Sequence, residues 1–263
     1  MHVSPDVPVS DAAFMSFIGA GTVLNVVAIL LGSSIGVALG SRLREKTRNV
    51  VTDGMGLTTL LVAALSAAAI IDPELRAALT SGAVLVVLAA LVIGGLLGSW
   101  LGIEERLEQF GSWLQGLFVR KEQIHDGPSF IEGFVTASLV FCVGPLAILG
   151  AVSDGIGTGI EQLAVKSALD FVACIAFAAA LGWGVAASAI PVAIYQGAWT
   201  VIGVFLGGVL PPAQIAVITA TGGLLLIGVG LRIMRIKAVP VADLLPSLII
   251  APLLLWGVTT VIS

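Results

Sequence analysis

Charged side chains are scarce in this sequence: Asp, Glu, Lys and Arg make up 11% of its 263 residues, against about a quarter of a soluble domain. Histidine and cysteine are scarcer still, with two of each. His2 and His125 stand too far apart to predict a zinc site, and Cys142 and Cys174 lie inside apolar runs, so no disulfide framework is expected. With a mean hydropathy of +1.11, these absences exclude a sizeable soluble domain and predict a protein embedded in the lipid bilayer.

The apolar residues fall into eight runs, each long enough for a helix of about 20 residues to cross a bilayer. They predict one all-α domain over residues 1–263, a polytopic transmembrane helix bundle. Spans one to three lie in 15–103, a polar segment in 104–129 and spans four to eight in 130–263. No positively charged stretch precedes the first run, so a signal peptide is not expected. The predicted spans are 17–40, 55–71, 81–103, 130–152, 163–187, 190–210, 213–233 and 244–262.

The basic residues predict the orientation of these spans. Ten of the twelve Lys and Arg residues follow spans one, three or seven, which lie on one side of an eight-span bundle. Lys and Arg concentrate on the cytoplasmic side of membranes, so we expect both termini outside. Only Arg76 and Lys166 fall elsewhere. The ten are Arg42, Arg44, Lys46, Arg48, Arg106, Arg120, Lys121, Arg232, Arg235 and Lys237.

The segment between spans three and four has helical periodicity but is too polar to cross the membrane. Over 104–123, Leu and Phe recur at helical spacing with charges between them. This pattern predicts an amphipathic helix on the cytoplasmic membrane surface. A short soluble helix that packs on loop residues fits the same pattern.

Two spans carry glycine at every fourth position, which makes a flat helix face and lets backbones approach closely. Such a face predicts ordinary helix packing inside one subunit, with homo-oligomerisation through the same faces as the alternative. The two sets are Gly32, Gly36 and Gly40 in span one and Gly94, Gly98 and Gly102 in span three.

Pro145 interrupts the fourth predicted span, which is otherwise apolar over 130–154. Proline has no N–H for the carbonyl four residues back, its ring clashes there, and Gly144 adds conformational freedom. Unpaired backbone at this depth survives only inside protein or beside a wet cavity, and broken helices are where transporters hold ions and substrates. The pattern predicts a break within about one turn of Gly144-Pro145, either as a structural kink or as part of a binding site.

Two charges within the fifth span are the strongest candidates for a binding site. Asp170 has only apolar neighbours in sequence, and Lys166 lies one turn earlier on the same helix face. A charge at the centre of a span costs on the order of 2.5–3.5 kcal/mol. One interpretation is an internal ion pair, although Lys before Asp is the less favourable helical order. The other makes Asp170 a site for a small cation or proton, with Lys166 as a competing charge.

Four other polar residues are weaker candidates for ion or substrate binding. Asp154 lies in a glycine-rich run, which predicts a capping residue in a turn or the mouth of a cavity. Glu132 lies near the cytoplasmic end of span four, within reach of water. Asn25 in span one and Gln196 in span six are neutral, and such residues form interhelical hydrogen bonds or line a polar path.

Several of these motifs resemble those of the YqgA/YdfK-like bacterial membrane proteins, and the resemblance covers almost the whole chain. It implies an integral protein of the bacterial cytoplasmic membrane and points to transport, but it supplies no substrate, cofactor or site residue. Asp243 departs from the family, in which we expect Asn; here it predicts an N-cap for span eight. The motifs are 136–150, 166–171, 195–197, 222–226, 21–25 and 244–246.

The sequence supports two classes of function. A secondary transporter or channel for a small solute or ion fits the broken span and the buried charges; without a P-loop, ATP is not expected to drive it. A non-transporting membrane scaffold or partner protein needs only the glycine faces and the amphipathic helix. An intramembrane enzyme is not expected, because the spans hold no Ser/His/Asp set, His cluster or Cys/His pair. Neither a cofactor nor a nucleic-acid partner is predicted.

Overall fold

The described residues form helices joined by short turns, with no strand among them, as the apolar runs predict. The N-terminal residues with His2, and the end of the amphipathic segment at 119–129 with His125, lie outside the described residues. The computed structural model of the protein describes residues 17–79, 82–118, 130–206 and 210–262. Its helices are α1 (Ala20–Gly40), α2 (Glu45–Ala67, continued by the 3₁₀ turn Ala68–Ile71), α3 (Pro73–Leu79), α4 (Ala83–Leu101), α5 (Ile103–Phe118), α6 (Phe130–Val143), α7 (Pro145–Ile156), α8 (Glu161–Leu181), α9 (Gly184–Ala187), α10 (Ala189–Leu206), α11 (Pro212–Ile233), α12 (Val241–Leu244) and α13 (Ser247–Ile262).

Seven helical segments of the described chain are long and apolar enough to cross a membrane, and α6 with α7 make an eighth if the bent pair counts as one span. The outer surface carries many large apolar side chains: Phe205 is 84% exposed and Trp100 is 80% exposed. A surface covered by such side chains is typical of a protein that lipid surrounds. The predicted all-α polytopic membrane bundle is confirmed.

The fourth span is broken where the sequence predicts a break. α6 ends before Gly144, which is extended (φ −69°, ψ 143°), and α7 begins at the proline that follows, at 60° to α6. The pair still reaches from one end of the bundle to the other, because Gly133 lies against Leu181 at the end of α8 and Gly150 lies against Leu163 near its start. We therefore describe α6 and α7 as one broken crossing rather than as a re-entrant loop.

Glycine brings neighbouring helices into backbone contact. α1 and α8 run parallel and touch along most of their length, with Gly21 against Leu163 and Gly40 against Ala179. α4 packs in the same way on the junction of α12 and α13. Both predicted glycine faces thus pack on helices of the same chain, as expected of ordinary helix packing, while homo-oligomerisation of the chain stays a prediction. The covered residues are Gly32, Gly36 and Gly40 of α1 and Gly94 and Gly98 of α4, while Gly102 ends α4 with a φ of +61°.

Two predicted boundaries are wrong, for different reasons. The sequence predicts span two at 55–71, whereas α2 already begins at Glu45, because a helix that leaves the bilayer continues through residues too polar to count as a span. The sequence places the turn between spans five and six near Ser188, whereas α8 ends before Gly182, whose φ of +78° favours glycine. α9 and α10 then make the sixth crossing together.

The amphipathic helix α5 packs on α6. Phe110 meets Phe134 edge to face with ring centroids 5.9 Å apart, and Leu114 is 2% exposed. Trp113, whose ring stacks on Phe110 with centroids 5.6 Å apart, and Leu117 lie along the edge of the same apolar face and remain 59% and 60% exposed, as expected of a helix at a membrane surface. Part of this face therefore contacts the bundle, and its exposed edge is placed to contact lipid.

A candidate ion site beside the broken helix

Lys166 and Asp170 form a buried ion pair in α8. The Lys166 ammonium contacts Asp170 Oδ2 one helical turn away, and the two residues are 5% and 7% exposed. Asn25 of α1 is fully buried and donates a hydrogen bond from Nδ2 to the same carboxylate oxygen at 3.0 Å. The site therefore joins two helices, and Lys166 is not the sole partner of the carboxylate.

Close packing of α1 on α8 determines this arrangement. Gly32 approaches α8 so closely that a Cβ there would lie 2.5 Å from the carbonyl oxygen of Phe171, and this approach brings Asn25 within reach of Asp170. Lys before Asp is the less favourable order on an exposed helix. Burial overrides that preference, because neither charge has water as an alternative partner and an unpaired charge at this depth is very costly.

The broken helix borders the ion pair on another side. Lys166 Nζ lies 5.7 Å from the centre of the Phe141 ring, within the range of a cation–π contact. Cys142, the next residue of α6, is close enough to interact electrostatically with both charges of the pair. Gly144 and Pro145 follow directly after α6. The ion pair therefore lies against Phe141 of α6, three residues before the interruption at Gly144.

Asp154 lies far along α7 from the break and caps a different helix. Its buried carboxylate accepts hydrogen bonds from the backbone N–H groups of Gly19 at 3.1 Å and Gly21 at 3.0 Å, which lie at the start of α1. A carboxylate there satisfies orphan N–H groups and complements the helix dipole. The prediction that Asp154 lies in a turn is wrong: α7 continues to Ile156, and the left-handed residue is Gly157, with a φ of +80°.

Glu132 and Gln196 are not joined to the ion pair. Glu132 lies at the opposite end of the broken span, where its Oε1 is 3.7 Å from Arg235 Nε and both side chains reach the surface. Gln196 lies fully buried in α10 and forms no hydrogen bond with Lys166 or Asp170. Among the described residues, no three His, Cys, Asp or Glu side chains form a group that would hold a metal ion.

A charged cluster where α5 meets α11 and α12 was not predicted from the sequence. Glu104 of α5 accepts bonds from the Arg232 guanidinium and, at 2.8 Å, from the N–H of Ala242. Asp243 Oδ1 in turn accepts from Glu104 N at 2.8 Å. Asp243 therefore caps α5, and its predicted role as N-cap of span eight is wrong. No local signal reveals these contacts, because Glu104 and Arg232 are 128 residues apart.

Comparison with known proteins identifies relatives but no activity. The family described as "Protein of unknown function (DUF554)" matches residues 20–256. The chain is 33% identical over 241 residues to "Uncharacterized protein YqgA" of Escherichia coli (strain K12), which covers 88% of this chain and 94% of that protein. It is 30% identical over 238 residues to "Uncharacterized membrane protein YdfK" of Bacillus subtilis (strain 168), which covers 90% and 95% respectively. No solved structure matches.

Proposed function

The chain belongs to the DUF554 family, and we propose that it is a secondary transporter that exchanges a small monovalent cation for a proton across the bacterial cytoplasmic membrane. The two similar proteins come from bacteria, and one is named a membrane protein. The many apolar helices support that location. One observation carries the transport role, namely the buried pair of Lys166 and Asp170 beside a broken helix.

A buried ion pair adds little stability, so its presence at this depth favours a functional role. Apolar residues of similar volume often serve as well or better, by about 1–4 kcal/mol. Charges within spans commonly mark ion pathways, and an interrupted helix beside them supplies carbonyl oxygens as further ligands. Asp170 Oδ2 accepts both hydrogen bonds that the carboxylate forms with the described residues. Oδ1 is the oxygen left to coordinate an incoming cation.

Charge balance predicts how the exchange proceeds. Lys166 and Asp170 are together neutral, and an added cation would place a net charge in a site that offers little solvation. The site stays neutral if the cation binds Asp170 while Lys166 releases one proton from Nζ. The reverse step returns the proton and releases the cation. Among the described residues, the thiols of Cys142 on α6 and Cys174 on α8 are titratable groups that interact electrostatically with both charges of the pair.

Proton movement in proteoliposomes tests this proposal. The purified full chain is reconstituted with a pH-sensitive dye inside, and Na⁺, Li⁺ or K⁺ is added outside, with choline as the control cation. We expect at least one alkali cation to raise the internal pH, because cations enter as protons leave. Choline is expected to leave the internal pH unchanged.

The double variant Lys166→Met/Asp170→Asn is the matched control, because it removes both charges at nearly constant volume. We expect it to reconstitute like the natural chain and to show no exchange. If the natural chain moves no protons in response to any of the three cations, the proposal is wrong and a non-transporting scaffold explains the chain better. Exchange by the double variant at the natural rate would also refute the assignment of the site.

A further inference from the structure

We propose that a second cation position adjoins the ion pair on its outer side, between α1 and α10, where oxygens of Thr22, Asn25 and Gln196 bind a partly hydrated monovalent cation. This inference deepens the proposed function. The role of the second position, which is to bind the cation before it reaches Asp170, rests on that proposed function. The binding itself is measurable without any transport.

Four buried polar atoms support this position. Asn25 and Gln196 have no exposed surface, and Thr22 is 8% exposed. Asn25 Oδ1, Thr22 Oγ1 and both amide atoms of Gln196 have no hydrogen-bond partner among the described residues. Buried polar atoms in proteins are nearly always paired with protein or ordered water, and leaving one unpaired is unfavourable. Four such atoms on two packed helices indicate a ligand that pairs with them.

The helix register places these atoms at one level of the bundle. The end of α7 contacts both helices, since Gly21 of α1 donates to Asp154 at 3.0 Å and Thr200 of α10 lies against the residue after it. α1 and α10 run in opposite directions, because the α9–α10 crossing begins beside the start of α6 and ends beside α7. One turn inward from Gly21 is Asn25, and one turn inward from Thr200 is Gln196.

The chemistry of the four atoms suits a cation. Three of them are oxygens, the ligands that hard cations prefer. The fourth, Gln196 Nε2, donates to water, so the set fits an ion that keeps part of its hydration shell. All three side chains are neutral, which favours binding weak enough to pass the ion onward. Asn25 also contacts Asp170 directly, and so links the two positions.

Cation-dependent thermal stability of the detergent-purified full chain tests the proposal. Cys142 and Cys174 are both buried and unpaired, so a thiol-reactive dye reports unfolding. NaCl, LiCl or KCl is titrated at constant ionic strength against choline chloride. We expect at least one alkali cation to raise the Tm of the natural chain, and choline to leave it unchanged.

Two variants that leave the ion pair intact locate the binding. Gln196→Met keeps the shape and removes both amide atoms, and Thr22→Val removes only the hydroxyl. We expect each to weaken the apparent cation affinity at least tenfold. The matched control is Gln162→Met, the same substitution at an exposed position of α8, which should shift like the natural chain.

The outcomes separate this inference from the proposed function. No alkali-specific Tm shift in the natural chain, or equal shifts in both site variants, would mean that the four atoms bind water only and would overturn the second position. If Gln196→Met fails to fold, Thr22→Val decides. An alkali-dependent rise in Tm that requires Gln196, without any cation–proton exchange in proteoliposomes, would refute the proposed function but support the second binding position.

Discussion

The ion pair predicts that each of its charges is harmful alone and dispensable when both are removed. Asp170→Asn leaves the Lys166 ammonium without a carboxylate at a position where it is 5% exposed. Lys166→Met leaves the carboxylate with only the amide of Asn25. Removing one partner of a buried pair costs about 3–5 kcal/mol.

The double variant Lys166→Met/Asp170→Asn should be much more stable than either single variant. Apolar replacement of both partners is often neutral or stabilising, but the introduced amide brings donors of its own that need partners. We therefore expect a stability within about 1 kcal/mol of the natural chain. The double-mutant cycle should give a coupling energy above about 3 kcal/mol, the upper end for residues in contact.

Thermal unfolding in detergent, followed with a thiol-reactive dye, measures all four states of the cycle. Cys142 and Cys174 are 5% and 0% exposed, so they react only when the bundle opens. Single variants that unfold within about 1 kcal/mol of the natural chain would refute the mutual dependence of Lys166 and Asp170. A double variant as unstable as the singles would show that these side chains act by filling space rather than by compensating charge.

Three further predictions follow from the packing. Gly98→Ala should destabilise the bundle by about 1–3 kcal/mol, because the new Cβ would overlap the backbone of α12. Gly54→Ala, where a Cβ would meet nothing within 4 Å, should stabilise α2 slightly. The thermal unfolding temperatures of the two variants test this difference. Asp154→Ala should cost about 3–6 kcal/mol, because it removes two hydrogen bonds to a charged group and leaves the N–H groups of Gly19 and Gly21 unpaired, and an unchanged Tm would contradict that role. Ser41→Cys and Thr158→Cys should label from opposite sides of the membrane, Ser41→Cys from the cytoplasm; labelling of both from outside intact cells would overturn the topology.

The features that the sequence predicts correctly are local. A span must be apolar over its whole length, so hydropathy alone locates the crossings, although it misses the polar start of α2 at Glu45. The break at Gly144-Pro145 is a property of two adjacent residues. The pairing of Lys166 with Asp170 is one turn of a single helix. Each of these follows from residues that are neighbours in the chain.

Contacts between distant helices escaped prediction, because no local pattern specifies them. Asn25 and Asp170 are 145 residues apart, so the sequence offers both as candidates but does not join them. Asp154 looks like a turn residue because glycines follow it, yet its carboxylate caps α1, 133 residues away from Gly21. Only the packing of helices determines which polar side chain meets which backbone.

The contact between α7 and α1 sets an energetic condition on the proposed exchange. The proposed exchange requires that the ion pair be reached from one side of the membrane at a time, and at the end of the bundle where α1 begins, Asp154 of α7 accepts hydrogen bonds from Gly19 and Gly21. Hydrogen bonds to a charged group contribute about 1.5–3 kcal/mol each, so separating α7 from α1 costs about 3–6 kcal/mol, which keeps the open state below about one per cent. A cation that opens this side must therefore bind the open state more tightly by at least that difference.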